Sequence, residues 1–346
     1  MTTKFQIMNP INTPEWDDLL PVDKGSTIFH TSEWSKVICE SYNYTPTYFT
    51  VFNNNRIKGL FPIIEVTSLF TGRRGVSLPF TDYCELIIES KEQFHDVFRQ
   101  IITYGKERRW RYIELRGGAQ FLEDEKPSHY YYGHTLELAG DEKKIFSNFR
   151  SSTQRNIKKA EKEGVTVHLS HSLESIIEFY RLNCLTRKLH GLPPQPFKFF
   201  RNVYDSIISD GKGFTALATF KNKPIAGAVY FHYGENALYK YGASDKRYQD
   251  LRANNIIIWE AIKWYCRNGY KDLCFGRTEP ENYGLRQFKN GWGVQERVIK
   301  YYKYDLRKDT FVEDIPVVKP IHNKVLKKMP IPVLKTMGTL LYKHMG

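Results

Sequence analysis

At 346 residues the chain exceeds one ordinary domain and suits about two. Its 41% hydrophobic and 26% charged residues fit a soluble globular protein, and no apolar run approaches the ~20 residues that a bilayer-crossing helix needs. The five cysteines show no CxxC or paired-histidine spacing, which argues against a metal cluster or disulfide framework, and the formal net charge is +13.

The opening MTTKFQIMNP lacks the apolar stretch of a secretory leader, so the cytoplasm is the expected compartment. Thr47 to Asn53 and Arg56 to Thr67 alternate strand formers around Asn53-Asn54-Asn55, which predicts a hairpin. A helical pattern follows from about Lys91 to Arg108, then a strand from Tyr112 to Leu115 ending at Arg116-Gly117. The second half predicts a strand near Thr135 to Leu138, a helix from Ser151 to Lys162 and a strand from Val165 to Leu169. Ser151 or Ser152 is the expected cap of that helix and Gly164 its closing residue. Helices Leu173 to Lys188 and Phe197 to Ser209 are separated by Pro193, Pro194 and Pro196. A second hairpin, Gly213 to Phe220 with Pro224 to Tyr233, precedes a strand from Ala237 to Gly242 and a helix from about Asn254 to Asn268.

Asp272 to Phe275 is a brief apolar strand ended by Gly276-Arg277. Glu281 to Lys289 reads as helix, Gly291-Trp292-Gly293 ends it, and Arg297 to Tyr304 is the last strand. The order hairpin, helix, strand recurs at an offset of about 160 residues, which predicts a duplicated α/β domain. The expected division is residues 1–133, residues 134–310 with the active site, and a basic tail over 311–346. Pro316 to Gly346 holds six lysines and no carboxylate. Val333, Leu334, Met337, Leu340 and Leu341 form a stripe at helical spacing there, suited either to an anionic membrane or to the protein's own core.

Phe149 to Val167, FRSSTQRNIKKAEKEGVTV, together with the downstream Phe275-Gly-Arg277, Phe288-Lys289 and Trp292-Gly293, resembles the FemABX-type peptidyltransferases, a GNAT-like acyltransferase superfamily. The resemblance covers roughly residues 28 to 305 and implies tandem GNAT-like domains, mixed sheets flanked by helices. It implies a slot between two splayed parallel strands, here Ala237 to Gly242 and Asp272 to Phe275, with Tyr241 and Arg277 at their ends. It implies that Lys289 stabilises charge at the reacting carbonyl, with Tyr241 as the second catalytic candidate; the bland alternatives are a packed aromatic and a surface lysine. Asp82 and Tyr83 are implied acceptor contacts. Arg155, Lys158 and Lys159 share one helix side and are read as structural.

GNAT enzymes that use CoA carry a Gly-rich loop before the helix that follows the slot's first strand. Here that place holds Asp250-Leu-Arg-Ala-Asn-Asn255, with Asn254 where the first glycine should stand, so weak acyl-CoA binding is expected. The helix start, with Arg252, Asn254 and Asn255, is a candidate phosphate site, the bland alternative being a solvated Arg252. Arg187 and His190, in the stretch before the prolines, are candidates for an anionic acceptor, and His190 also for a loop general base.

The expected activity is acyl or aminoacyl transfer to an amine of a cell-envelope precursor, peptidoglycan-type or lipid-linked, with no tightly bound cofactor and with aminoacyl-tRNA or acyl-CoA as donor. The alternative is an acyl-CoA-dependent N-acyltransferase of exopolysaccharide or capsule production. A third reading is a non-enzymatic GNAT-like module that docks an acidic partner. The tail would place the protein peripherally on the inner face of the plasma membrane.

Overall fold

The computed structural model describes residues 4–21, 25–53, 56–313 and 322–346. Its strands are β1 Lys4–Met8, β2 Thr45–Asn53, β3 Arg56–Ser68, β4 Gly72–Val76, β5 Tyr112–Leu115, β6 His129–Glu137, β7 Thr166–Ser170, β8 Gly213–Phe220, β9 Lys223–Tyr233, β10 Asn236–Ser244, β11 Asp272–Thr278, β12 Gln295–Asp305 and β13 Thr310–Phe311. The helices are α1 Trp16–Leu19, α2 Ser32–Tyr42, α3 Lys91–Glu107, α4 Glu142–Ser147, α5 Ser151–Lys162, α6 Leu173–His190, α7 Phe197–Val203, α8 Ala253–Arg267, α9 Tyr283–Asn290, α10 His322–Leu326 and α11 Ile331–Leu341. Two of the three asparagines expected at the first hairpin turn, Asn54 and Asn55, lie outside the described residues, as do residues 314–321 of the expected tail.

The chain forms two compact units, Met1–Tyr131 with Val298–Val317 and Leu341–Gly346, and Tyr132–Arg297 with Val318–Leu340. In the first, β1, β2, β3 and β4 pair antiparallel in succession, β4 pairs parallel with β5, and β5 pairs antiparallel with β12. Phe61, Phe94, Ile101 and Ile113 are fully buried between this sheet and α3. In the second, β7, β8, β9 and β10 pair antiparallel, β10 pairs parallel with β11, and β11 pairs antiparallel with β6. Its core joins Ile157 of α5, Ala216 and Ala228 of the hairpin, Ile262 and Tyr265 of α8, and Trp292.

Each unit therefore runs antiparallel hairpin, third strand, helix, parallel strand: β2, β3, β4, α3, β5 in one and β8, β9, β10, α8, β11 in the other. A parallel return needs a crossover, and α3 and α8 supply it. Gly227, soon after the second turn, lies where a Cβ would come within 2.9 Å of Leu217, a close approach that favours glycine.

Two local expectations are corrected. Neither Ser151 nor Ser152 caps α5: Arg150 is the N-cap residue, with no side-chain bond, and its N–H donates to Gly291 O at 2.9 Å. The tie to the end of α9 sets where α5 starts. Gly164 closes α5 as expected, at φ +78° with its N–H on Glu161 O. The second correction is that α6 runs to His190, so that residue belongs to the helix and not to a loop.

Helix α11 turns part of its stripe inward. Leu334 is fully buried, Met337 and Leu341 are half-buried, and Val333 and Leu340 stay exposed. A Cβ on Gly338 would collide with Pro194 O, and Lys335 Nζ lies 5.0 Å from the Tyr180 ring. Among the described residues, no helix is long and apolar enough to cross a membrane.

Candidate active site

β10 and β11 are hydrogen-bonded only from Asn236 to Leu238 against Asp272 to Cys274, although β10 continues to Ser244 and β11 to Thr278. Beyond that point each strand keeps to its other neighbour. β10 follows β9 past an irregularity between Tyr239 and Tyr241, and β11 follows β6 past one between Cys274 and Arg277. A bulge bends its strand and frees a residue from the ladder. Two bulges at the same level open the sheet at the carboxyl ends of its parallel strands, where α/β sheets hold ligands.

Lys289 lies beside the β11 bulge. Asn282 caps α9, its side chain accepting from Leu285 N at 3.2 Å, and the last turn carries Lys289 inward. The residue is only 4% exposed, and its Nζ donates to Gly276 O at 3.1 Å and Arg277 O at 2.9 Å. Gly276 has φ +67°, a left-handed conformation glycine adopts without strain. A buried ammonium needs such acceptors, because unpaired burial of charge is costly.

A network that sequence reasoning missed adjoins it. His134 of β6 is fully buried, with Nε2 3.2 Å from Glu296 Oε2. Arg286 forks onto both Glu296 oxygens at 2.7 and 2.6 Å, Asn290 Nδ2 reaches Oε2 at 3.1 Å, and the guanidinium lies 3.7 Å from the Tyr132 ring centre. The Arg286 hydrogen bonds pull Glu296 down to about 2. Burial first, and then the positive charge of Lys289, hold the His134 pKa below its ordinary value, outweighing Glu296 and the Gly276 carbonyl. The ring faces two acceptors, the Glu296 carboxylate at Nε2 and the Gly276 carbonyl, and Nδ1 closes no well-formed hydrogen bond among the described residues. A neutral imidazole beside a buried ammonium can take up a proton.

The start of α8 forms a cleft of about 200 Å³. Arg252, Asn254 and Asn255 line it with Ser244 of β10, Asn156 of α5 and Phe288 of α9. Arg252 is the N-cap residue at φ +58°, and its buried Nε has no partner among the described residues. Asn255 is buried, while Asn254 is exposed with Nδ2 3.4 Å from Ser244 Oγ. Bare amides and the helix dipole at such a start favour an anion. Phe288 adjoins Lys289 in sequence, so α9 links the cleft to the bulge.

The other expected site residues are placed as follows. Arg277 follows Gly276 on β11, half-buried, its carbonyl bonded to Lys289. Tyr241 is half-buried on β10 with Phe200 at 5.5 Å and Phe199 at 6.1 Å between ring centres, and with Lys240 Nζ over its ring. Arg187 Nε donates to Pro193 O at 3.2 Å and so holds the proline segment, while His190 is exposed at the helix end. In the first unit, Asp82 O accepts from Tyr301 Oη at 2.7 Å, and Tyr83 rests on Tyr131, Ile299 and Tyr301. Their loop carries Leu78 and Phe80 at φ +51° and +63°, with Arg116 Nη1 donating to Leu78 O and Thr81 O at 3.3 Å. Non-glycine residues in this region cost energy and gather at functional loops.

A mixed sheet opened between two parallel strands, with a helix start beside the opening, defines a GNAT-type fold. The Acetyltransferase (GNAT) domain family matches residues 147–290. The chain is similar to the Lipid II:glycine glycyltransferase of Staphylococcus haemolyticus (strain JCSC1435), 22% identical over 44% of this chain and 53% of the relative. The chain thus spans about half the length of the curated relatives it matches. Among solved structures it resembles the crystal structure of FemX, with a TM-score of 0.69, 14% identity and coverage of 89% of this chain and 98% of that one. It also resembles a tandem GNAT protein from the clavulanic acid biosynthesis pathway, with a TM-score of 0.54, 9% identity and coverage of 88% and 99%. Together these likenesses give residues 147–290 a GNAT-type domain and show that the chain shares its fold with FemX and a tandem GNAT protein.

Proposed function

We propose that this protein forms amide bonds by transferring an acyl or aminoacyl group to an amine of a cell-envelope precursor, without a covalent enzyme intermediate. The observation that carries the reading is the buried Lys289 ammonium on Gly276 and Arg277, beside the opened β10–β11 ladder. The amine nitrogen attacks the donor's carbonyl carbon to form the amide bond, the ester or thioester bond breaks, and the proton that the amine gives up ends on the departing oxygen or sulfur, which leaves as the alcohol or thiol. Lys289 faces the developing oxyanion, and electrostatic stabilisation of that charge lowers the barrier. His134, kept neutral, is suited to receive the proton directly or through a water.

The name of the staphylococcal relative, a Lipid II:glycine glycyltransferase, supports a lipid-linked acceptor and transfer of a glycyl group; aminoacyl-tRNA as the donor follows from the motif resemblance alone. A second reading, acyl-CoA as donor to an exopolysaccharide or capsule precursor, is favoured by the GNAT-domain match and by the Arg252 cleft at the start of α8. Asp82 and Tyr83 are proposed acceptor contacts, and residues 1–133 and 134–310 the two GNAT-like domains. Exposed Val333 and Leu340, with the tail lysines, support peripheral attachment to the inner face of an anionic membrane.

The test incubates the full chain with a precursor analogue bearing a free amine and with either aminoacyl-tRNA or acyl-CoA. Amide product with one donor assigns it. Binding of neither, with no product, leaves only a GNAT-like binding module and overturns the proposal.

A further inference from the structure

We infer that the β3–β4 hairpin tip is a membrane-docking element that sets Leu69 and Phe70 into the headgroup boundary of an anionic bilayer. The two side chains are 88% and 70% exposed, at consecutive positions of a turn. They are held in place. Ser68 Oγ accepts from Phe70 N at 3.2 Å and Thr71 N at 3.1 Å, and Arg74 Nη1 donates to Thr71 Oγ1 at 2.6 Å. Gly72 closes the turn at φ +74°, with Arg111 so near that a Cβ would meet its Nε at 2.7 Å. The Phe70 ring stands edge-on to His344, 4.8 Å between centres, and Met345 beside it is 56% exposed.

The surroundings are cationic. Arg73 and Arg111 are exposed and form no salt bridge among the described residues, and Lys343 is exposed next to His344. Arg111 N–H donates to Arg73 O at 2.8 Å, so these two basic residues flank the tip together. The nearby acid Glu65 is buried and bonded to Arg108 and Trp110. An apolar tip among exposed cations matches a bilayer surface, where rings and branched chains enter the acyl boundary and basic side chains meet anionic headgroups. A stable protein interface needs about 800 Å² on each partner, far beyond what two side chains at a turn provide. The inference does not rest on the transferase reading, and it places the contact on a different element from helix α11.

The test is co-sedimentation of the full chain with phosphatidylcholine vesicles prepared with and without phosphatidylglycerol. The wild type is expected to bind the anionic vesicles, and Leu69→Ser with Phe70→Ser to weaken that binding about tenfold or more with unchanged thermal melting. Val333→Ser with Leu340→Ser on α11 serves as the comparison for the tail. Phe70→Trp should show fluorescence quenching by lipids brominated near the headgroup. Equal binding by the wild type and the hairpin variant, no binding by the wild type, loss confined to the α11 variant, or no quenching after Phe70→Trp would each overturn the inference.

Discussion

The ammonium of Lys289 and the carbonyl of Gly276 are 3.1 Å apart, and Gly276 presents that carbonyl from a left-handed conformation at φ +67°. Gly276→Ala forces a Cβ into the left-handed region at a cost of roughly 1–2 kcal/mol. We expect a lower melting temperature and reduced turnover together, since the strand end that positions Lys289 must shift. Thermal melts beside a transfer assay check this, and a variant with unchanged turnover would uncouple the bulge from catalysis.

The buried His134 makes stability depend on pH. Its folded pKa lies below the ordinary value, so between about 6.5 and that folded value the unfolded chain binds more protons and stability falls as pH falls. His30 and His232, also held down by burial, act with the same sign. His134→Gln should flatten the slope of melting temperature against pH in this window. Parallel slopes for wild type and variant would show that His134 titrates as it does when unfolded.

Glu296 acts lower on the scale. Its folded value of about 2 means that its stabilising share is present above the ordinary carboxylate range and is lost as pH falls toward 2. Arg286→Lys keeps the charge and loses the fork, a substitution that is not conservative at a bidentate site. Carbon-13 NMR titration of the Glu296 carboxyl should then report a value above about 2. An unmoved titration would transfer the effect to Asn290 and His134.

Gly338 tests the inward face of α11. A Cβ there collides with Pro194 O, so Gly338→Ala must lift the helix or shift the proline segment, costing about 1–3 kcal/mol as overpacking does. Faster proteolysis of the segment after Glu313 is the expected result. Unchanged cleavage would mean that the helix is held elsewhere.

Much of the fold was legible because it depends on local pattern. The alternation that gave β2, β3, β8 and β9, and the helical periods of α3, α5 and α8, are properties of consecutive residues. The recurring order of elements also predicted two α/β units of the same topology. The His134–Glu296 contact was hidden because it joins residues from two distant strands, and the expected strands began at Thr135 and Arg297, each one residue too late to include them. The stripe on α11 has one spacing whether it meets lipid or protein, and only the fold reveals that Leu334 points inward. Lys289 was found through a motif, whereas its burial against two carbonyls follows from a bulge that no local pattern announces.

The measurement that bears most directly on this account is the turnover of Lys289→Met. Methionine fills the space of the lysine stem and removes the charge, leaving the Gly276 and Arg277 carbonyls without that donor, so a folded protein with a somewhat lower melting temperature is expected. Turnover should fall by about 10² or more, the loss typical of removing one oxyanion donor. A folded Lys289→Met protein that transfers its acyl group at the wild-type rate would contradict the assignment.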